Sequence, residues 1–592
     1  MTSFVTRTER ESILWEVTRS LCPTCRRVID AQIHLRDGKV VMRKRCPDHG
    51  GFEAVVFGDS DLYTRILGHN KPGTLPLRFQ TEVKEGCPLD CGLCPEHQQH
   101  TCLALIEVNS ACNLDCPLCF ADSGTHLARS GFQLTYDQVN AMLDTFVAAE
   151  GDPEVVQFSG GEPTLHPQLL DFIALAQRKG ISYVMVNTNG IRIARDDELL
   201  AGIARLRPHI YLQFDGFDER TNALLRGRPD LLETKLRALD RLAEADVRVV
   251  LVAAIERDVN LHEVGRIVEF GLSHPAVFGV NFQPAFRAQR HLAADPMTRV
   301  TIPDVLKALE EQTDRRFVVD DFVPVPCCMP TCNFVTYALV DGGTTTPITR
   351  ILDIDLYLDY LKNRTLPRVS DDLLKILERL WSSSAPVGSD RAAADVHRAL
   401  DVGAGDRNAG ADRCTACAAR VPLSQHTPRD VARHVFMINT RDFMDPWTFN
   451  VKNVMKCCVE FLVPDGRMIP FCAYNSVGYR EQVAASLEPR GSRMAPPIKA
   501  VRRASGLALR SPEDALRPLG TGLAPLERMQ EMRASEVASQ LVESLDYPVT
   551  KDVIIAAARE ATLGSSLEEA LKKLPDREFA DAEELTRAIN AT

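Results

Sequence analysis

The stretch LALIEVNSACNLDCPLC, residues 103–119, decides the fold of this chain. It begins with an apolar run, 103–108, that is typical of a buried strand. Three cysteines follow, Cys112, Cys116 and Cys119, separated by three and then two residues. Because a [4Fe–4S] cluster needs four ligands, three thiolates leave one iron open. The pattern therefore predicts a cluster with an open iron, placed directly after a strand.

Five more strand-like segments follow, and helical patterns separate them. They lie at 154–158, 182–187, 209–214, 247–255 and 277–282. Their apolar, β-branched runs are typical of a parallel sheet that is covered on both faces. Thr135 with Gln138 predicts the start of one helix as a capping box, and Asn260 with Glu263 predicts another. Six βα units predict an α/β fold, a partial (β/α)6 barrel with its active site at the carboxyl ends of the strands.

Polar and glycine residues follow the predicted strands at that same edge. They are Gly160, Gly161, Glu162 and Pro163 after the second strand, Asn187 and Asn189 after the third, and Asp215 after the fourth. Glycines allow the backbone to approach a ligand closely. Glu162 is suited to an ammonium group, and the asparagines are suited to a ribose. The sequence thus predicts a ligand site around the three cysteines.

The cysteine motif followed by Gly160-Gly161-Glu162-Pro163 resembles the radical S-adenosylmethionine (SAM) superfamily. The resemblance implies that SAM chelates the open iron and that the reduced cluster cleaves it to a 5′-deoxyadenosyl radical, which abstracts hydrogen from an unactivated carbon. By position, residues 160–163 line the methionine moiety, whereas Asn187, Asn189 and Asp215 approach the ribose. No catalytic residue beyond the cluster is implied. Leu118 stands where many members have an aromatic residue, a change that affects the fit of adenine.

An N-terminal metal site is predicted from two short motifs. Cys22 and Cys25 form one Cys-x2-Cys pair, and Cys46 is followed by His49 after two residues. Between them, Asp37-Gly38 predicts the turn of a β-hairpin. Four such ligands suit one zinc or one mononuclear iron, and the spacing does not choose between the metals. The alternative is a hairpin with idle cysteines.

Two further cysteine groups predict auxiliary clusters. The four thiols of Cys87, Cys91, Cys94 and Cys102 lie within one short segment and predict a [4Fe–4S] cluster, with zinc as the alternative. The third group predicts another cluster from Cys332, Cys472 and one member of each adjacent pair, the pairs being Cys327 with Cys328 and Cys457 with Cys458. Its alternative is an apolar core of free thiols. Cys414 and Cys417 form one more pair, for which no role is assigned.

The composition excludes several classes of protein. The 592 residues are 45% hydrophobic and 25% charged, which is ordinary for a globular protein, and the net charge of −11 argues against nucleic-acid binding. No apolar run is long enough to cross a membrane, and the N-terminus lacks the apolar core of a signal peptide. We therefore expect a cytoplasmic enzyme whose 18 cysteines serve metal centres more than disulfides.

Composition shifts also divide the chain into predicted regions. The boundaries are 1–80 for the N-terminal metal knuckle, 81–102 for the four-cysteine segment, 103–290 for the barrel, 291–381 with 413–485 for a C-terminal auxiliary-cluster domain, 382–412 for a flexible linker, and 486–592 for a linker and helical tail.

The arrangement of motifs over residues 20–480 is similar to the archaeal tetraether lipid synthases and their bacterial relatives, a group that also includes 7,8-dihydro-6-hydroxymethylpterin dimethyltransferase. This resemblance implies the coupling of lipid alkyl chains, a low-potential electron donor of the ferredoxin or flavodoxin type, and peripheral contact with a membrane. Methylation of a pterin or other heteroaromatic is the second hypothesis. Peptide modification and a non-catalytic electron-transfer scaffold are further alternatives. A polar, aromatic-lined pocket would favour the pterin, and a long apolar tunnel would favour the lipid.

Overall fold

A computed structural model of the chain describes residues 12–127, 131–181, 183–292, 295–325, 328–341, 344–350, 434–487, 549–554 and 575–579. The predicted linker 382–412, Cys327, Cys414 and Cys417 lie outside these ranges. The chain divides into two compact units, 1–504 and 505–592. In the second unit, two short strands, Val549–Thr550 and Glu578–Phe579, pair antiparallel. Within the described ranges, no helix combines the length and the hydropathy that a bilayer crossing needs.

An antiparallel sheet of four strands forms the N-terminal region. Its strands are β1 (Ile13–Leu21), β2 (Val28–Arg36), β3 (Lys39–Cys46) and β4 (Gly50–Phe57), hydrogen-bonded in that order, and helix α1 (Ser60–Ile66) follows them. The predicted turn is present, with φ of 51° at Asp37 and 71° at Gly38, as a two-residue hairpin requires. Only the two central strands were predicted. The apolar residues of β1 do not alternate, and several are exposed, so the usual strand pattern is weak there.

The six predicted βα units are present and their strands are all parallel. The elements are β5 (Leu103–Glu107), α2 (Tyr136–Glu150), β6 (Val155–Ser159), α3 (Leu169–Arg178), β7 (Tyr183–Thr188), α4 (Asp197–Leu206), β8 (His209–Gln213), α5 (Glu219–Arg226), α6 (Leu231–Glu244), β9 (Val249–Ile255), α7 (Val264–Ser273) and β10 (Val277–Pro284). The Thr135/Gln138 capping box begins α2. Asn260 precedes a short 3₁₀ turn without a side-chain capping hydrogen bond, so the helix predicted to start there, α7, begins only at Val264. The prediction of a partial α/β barrel is confirmed.

The C-terminal segments lengthen this sheet at both edges. They supply α8 (Ile302–Gln312), β11 (Val323–Pro324), β12 (Asn333–Asp341), β13 (Thr344–Pro347), β14 (Val435–Arg441), α9 (Val451–Met455), β15 (Val459–Leu462), β16 (Met468–Pro470), α10 (Phe471–Ser476) and α11 (Tyr479–Leu487). Strand β14 pairs parallel with β10, and β15 pairs parallel with β5. The order is β11-β12-β14-β10-β9-β8-β7-β6-β5-β15-β16, with β13 beside β12. Six parallel strands thus become eight.

The two edge regions of the sheet meet through the residues that follow β14 and β16. The rings of Phe443, after β14, and Phe471, after β16, are stacked with centroids 4.0 Å apart. The backbone N–H of Met444 also donates to the Cys472 sulfur at 3.4 Å. The sheet is therefore curled into a barrel that side-chain contacts close.

Two apolar cores follow from the alternation of side chains along each strand. Ala104 and Ile106 of β5 face the helices and belong to the outer core. Leu103 and Leu105 point the other way and belong to the inner core, inside the curl of the sheet. Because successive side chains of a strand point to opposite faces, both faces of these strands are apolar, as a covered parallel sheet requires.

Candidate functional site

The loop that carries Cys112, Cys116 and Cys119 lies at the carboxyl end of β5. The N–H of Cys112 donates to the carbonyl of Gly124 at 3.2 Å, and Cys119 exchanges two backbone hydrogen bonds with Arg290, at 2.9 and 3.2 Å. Cys116 belongs to a buried apolar cluster, and the partly buried Cys112 and Cys119 pack against it. The structure thus brings together the thiols that the sequence predicts as ligands of the open-iron cluster.

The thiols of this loop are close enough to affect one another. Burial raises the pKa of Cys112 to about 12, and the charges of Glu162, Cys116 and Cys119 contribute. Burial also raises the pKa of Cys116, against the opposing effect of Arg226. Converging, buried thiolates that repel one another fit a cationic iron centre, which would neutralise them and replace their protons.

Gly160 and Gly161 hold the start of this loop. The N–H of Gly161 donates to Asn109 O at 2.8 Å, and the N–H of Glu162 donates to Ala111 O at 2.9 Å. A Cβ atom on Gly160 would lie 2.3 Å from Asn109 O, and one on Gly161 would lie 2.2 Å from Ala111 O. Both positions therefore require glycine, because a side chain there would push away the segment that leads into the cysteines.

The carboxylate of Glu162 is engaged inside the protein. Its Oε1 accepts from Thr164 Oγ1 and Thr188 Oγ1, both at 2.6 Å, and its Oε2 accepts from Asn189 N at 2.8 Å. Pro163 begins the 3₁₀ turn that Glu162 caps. The structure uses this side chain to join the ends of β6 and β7, whereas its contact with an ammonium group stays a prediction.

The other three predicted cofactor residues occupy different surroundings. Asn189 lies against the cysteine loop, because its Nδ2 donates to Asn113 Oδ1 at 2.7 Å. Asn187 lines the cavity inside the barrel. Asp215 is buried and accepts two hydrogen bonds from Arg226, at 2.6 and 2.7 Å. The assignment of these residues to a ribose stays a prediction.

Arg226 is a residue of this site that the sequence did not indicate. It ends α5, pairs with Asp215, and reaches the carbonyl of Leu118 within the cysteine loop at 3.4 Å. Asp215 is desolvated, which opposes its charge, but Arg226 holds the pKa of Asp215 below its ordinary value. The buried Asp215–Arg226 ion pair therefore orients the guanidinium that contacts the cysteine loop. An arginine at the end of an amphipathic helix gives no signal that it contacts a distant loop.

Comparison with known proteins agrees with this geometry. Residues 106–271 match the radical SAM superfamily, and residues 14–58 match an HMPTM N-terminal zinc ribbon domain. Residues 533–586 match a family of unknown function. Over 500 residues the chain is 33% identical to 7,8-dihydro-6-hydroxymethylpterin dimethyltransferase of Methanocaldococcus jannaschii, which covers 79% of this chain and 94% of the relative. The chain is a radical SAM enzyme.

Other relatives of this radical SAM enzyme match shorter parts of it. The PqqA peptide cyclase of Bradyrhizobium diazoefficiens is 28% identical over 42% of this chain and 59% of its own length. Among solved structures, Streptococcus suis SuiB bound to S-adenosylmethionine aligns with a TM-score of 0.30 and 15% identity, over 36% of this chain and 47% of SuiB.

The N-terminal ligand set of the radical SAM enzyme is assembled as predicted from its spacing. The sulfurs of Cys25 and Cys46 are 3.9 Å apart, and His49 Nδ1 lies 3.7 Å from Cys22 Sγ and 3.5 Å from Cys46 Sγ. All four donor atoms lie within 4.8 Å of one another. A tetrahedron with Zn–S bonds of about 2.3 Å has edges of about 3.8 Å. The residues present therefore fit one tetrahedral metal ion.

Three of the four cysteines at 87–102 lie together. Burial raises the pKa of Cys87 to about 12, with Cys94 contributing, and burial with both neighbouring thiolates raises the pKa of Cys91. Cys102 directly precedes β5; its N–H donates to Cys458 O at 2.9 Å and its sulfur lies 3.6 Å from His100 Nε2. Ligation of one cluster by all four stays a prediction.

The third cysteine group lies where the two sheet edges meet. Burial raises the pKa of Cys332, and the thiolates of Cys472 and Cys458 raise it further, so these three lie together. The thiol of Cys457 instead donates to Val459 O at 3.3 Å. The thiol of Cys328 donates to Val325 O at 3.6 Å. The charge of Cys472 acts on the Cys457 thiol as well, so only the proximity to Cys332 distinguishes Cys458, and its role as a ligand stays a prediction.

A cavity fills the inside of the barrel beneath the cysteine loop. Phe120, directly after Cys119, forms part of its wall. The remaining lining consists mainly of apolar, aromatic and carboxamide side chains, together with Ser159 and Arg441. The apolar ones include Leu103, Leu105, Val155, Met185, Val252, Val335, Met437 and Val459; the aromatic ones are Tyr211, Tyr337, Phe443 and Phe471; the carboxamides are Gln157, Asn187, Asn281, Gln283, Asn333 and Asn439. The sequence analysis did not identify this cavity. Carboxamides inside otherwise apolar strands, as in VVQFS and VFGVNFQ, could have indicated it.

Proposed function

We propose that this radical SAM enzyme methylates a pterin-type nitrogen heteroaromatic bound in the cavity of the barrel. The observation that carries the proposal is the lining of that cavity by six carboxamides together with aromatic rings. The relative from Methanocaldococcus jannaschii is a pterin dimethyltransferase by name, which supports the same substrate class.

The chemistry of the lining suits a planar, hydrogen-bonding ligand. Carboxamides offer both donors and acceptors, which match the alternating N–H, N and C=O groups at the edge of a pterin. Aromatic walls stack favourably on a flat ring. An alkyl tail would leave the buried amides without partners, which is unfavourable. Coupling of lipid chains, the first expectation from the whole-chain resemblance, therefore receives no support from the cavity.

When bound at the cysteine loop, the cluster and SAM supply a 5′-deoxyadenosyl radical, which removes a hydrogen atom from a carbon without an acidic proton. The residues of the chain position the reactants and keep water away. Phe120 packs between the rings of Phe286 and Phe471, with centroids 5.7 Å from each, and so forms a dry wall shared by loop and cavity. The methyl group comes from a one-carbon donor, and a ferredoxin- or flavodoxin-type protein supplies low-potential electrons.

We also propose metal ligands for the remaining cysteine groups. Two auxiliary [4Fe–4S] clusters would be held by the group at 87–102 and by the group formed by Cys332, Cys458 and Cys472. One zinc or mononuclear iron would be held by the four N-terminal ligands. The support is the convergence of the thiols in each group. Peripheral contact with a membrane stays a prediction.

The test uses anaerobically reconstituted enzyme with a low-potential reductant, SAM carrying a deuterated methyl group, and 7,8-dihydro-6-hydroxymethylpterin. Mass spectrometry follows both the pterin and 5′-deoxyadenosine. We expect a methylated pterin that forms only when 5′-deoxyadenosine also forms. A Cys112→Ala variant taken through the same reconstitution is the control, and we expect neither product from it.

A parallel reaction replaces the pterin with phospholipid that carries deuterated acyl chains. Deuterium in 5′-deoxyadenosine from that reaction, together with an unmodified pterin in the first, would overturn the proposal in favour of lipid-chain chemistry. A methylated pterin without the SAM label would retain the proposal and identify another one-carbon donor.

A further inference from the structure

One sector of the cavity carries most of its polar side chains. On β10, β14 and β12 the register places Asn281, Asn439 and Val335 side by side in one row. Arg441 and Asn333 face each other in the next row. All five residues line the cavity. Asn439 and Asn333 are thus diagonal neighbours on the same face of adjacent strands, within reach of one small ligand.

Two of these amides have an acceptor without a partner. Asn439 donates from Nδ2 to Asn281 Oδ1 at 3.2 Å, which fixes the orientation of its amide group. Its own Oδ1, and that of Asn333, are buried and accept no hydrogen bond within the described part of the chain. Both residues are more than nine-tenths buried, at 6% and 3% exposure. Buried acceptors are normally satisfied, so these two oxygens indicate donors supplied by a ligand.

The third member of the sector is a cation. Arg441 lies opposite Asn333 and lines the cavity. In the described ranges its guanidinium has no hydrogen bond or ion pair, and its charge acts on Tyr211 and on the thiols of Cys332 and Cys472. Guanidinium groups only donate. The sector therefore presents two acceptors beside a charged donor.

Resting on the proposed function, we propose that Asn439, Asn333 and Arg441 bind the 2-amino-4-oxopyrimidine edge of the substrate. That edge offers an exocyclic amino group and a ring N–H as donors, followed by a carbonyl acceptor, and so is complementary to two amide oxygens and a guanidinium. The site thereby selects heterocycles with an amino group at C2. A ring with a carbonyl at C2 would place an acceptor against an acceptor.

The test measures binding to the anaerobic holoenzyme without reductant, so that no turnover occurs. The two probes are 6-hydroxymethylpterin and 6-hydroxymethyllumazine, which has a carbonyl in place of the 2-amino group, and fluorescence titration gives each Kd. We expect the wild type to bind the pterin about tenfold or more tightly than the lumazine. Only one of the two amide oxygens can face the 2-amino group, and the other faces the ring N–H that both probes share. Of Asn333→Leu and Asn439→Leu, one should therefore weaken both probes and the other should remove this preference. Asn333→Asp and Asn439→Asp, which keep an acceptor oxygen, should retain it.

Arg441→Gln should weaken both probes about equally, because both carry the carbonyl that it contacts. Asn140→Leu, the same change on the outer helix α2, is the control and should alter neither Kd. Wild-type binding of the pterin with an unchanged preference in both leucine variants would overturn this inference and leave the proposed function standing. No binding of either probe by wild type would instead overturn the proposed substrate class, and with it this inference.

Discussion

Arg480 donates through one guanidinium nitrogen to both carboxylate oxygens of Glu107, at 2.5 and 2.7 Å. Both residues are buried, and Tyr474 adds a hydrogen bond to the same carboxylate at 3.2 Å. Glu107 ends β5, directly before the cysteine loop, whereas Arg480 lies on α11, the last helix that the structure describes in the first unit. The pair therefore joins the C-terminal region to the base of the loop that the chemistry depends on.

Replacing Arg480 with Met should destabilise the enzyme strongly. The change leaves the Glu107 carboxylate buried without its cation, and breaking a buried pair in this way costs about 3–5 kcal/mol. Thermal unfolding of the reconstituted protein would give the shift. The double variant Arg480→Met with Glu107→Leu is the matched control and should recover part of the lost stability, since no charge then remains unpaired. An Arg480→Met single variant as stable as wild type would contradict the role given to the pair.

Gly161→Ala should disable the radical chemistry without unfolding the barrel. The new Cβ would lie 2.2 Å from the Ala111 carbonyl, in the backbone that leads to Cys112. A displacement of about 1 Å at a reactive centre costs on the order of 100-fold in rate. Production of 5′-deoxyadenosine by the reduced enzyme measures the effect. Gly51→Ala is the control, because no atom lies within 4 Å of its Cβ position; equal rates for the two variants would refute the close-packing argument.

The barrel was predictable because short, contiguous stretches of sequence specify its strands. Each parallel strand is a short apolar run followed by turn residues, and the strand predicted at 103–108 differs from the observed Leu103–Glu107 by one residue. The cysteine loop was predictable for the same reason, since its ligand spacing lies within eight residues, 112–119. Patterns of this kind can be recognised without knowing which distant segments pack against them.

What the sequence did not reveal depends on contacts between distant segments. Strand β15 looks like any short apolar strand, and its pairing with β5 joins residues more than 350 positions apart. In the same way, the sequence did not show that the Glu162 carboxylate accepts hydrogen bonds from Thr188 and Asn189. The proximity of Cys458 to Cys332 likewise depends on the meeting of the two sheet edges.

The stability of the enzyme should depend on pH through Lys235. This lysine is buried and donates to Asn189 O at 2.7 Å and to Gln213 Oε1 at 2.9 Å. Burial lowers its pKa to about 8, although Asp215 opposes the shift. Between about pH 8 and the ordinary lysine value near 10.4, the unfolded chain therefore binds more protons than the folded one. Stability from this group rises with pH across that window and is smallest below it.

Lys235→Met removes this proton linkage. The difference in the free energy of unfolding between wild type and the variant should move in favour of wild type by about 3 kcal/mol from pH 8 to 10.5. Denaturant titrations at several pH values measure it. Lys452→Met, on an exposed side chain, is the control and should show no such trend. A difference that is flat with pH would mean that the folded enzyme keeps the ordinary lysine pKa.

Cys458→Ala and Cys457→Ala form a matched pair that tests the third cysteine group. Cys458 lies near Cys332, whereas Cys457 lies near Cys472 and its thiol donates to Val459 O. If the group holds a [4Fe–4S] cluster, Cys458→Ala should lower the iron content by about four atoms per chain, and Cys457→Ala should leave it unchanged. Both variants should still produce 5′-deoxyadenosine, because neither change touches the loop at 112–119. Loss of iron in Cys457→Ala and not in Cys458→Ala would show that Cys457 is the ligand and would contradict this assignment.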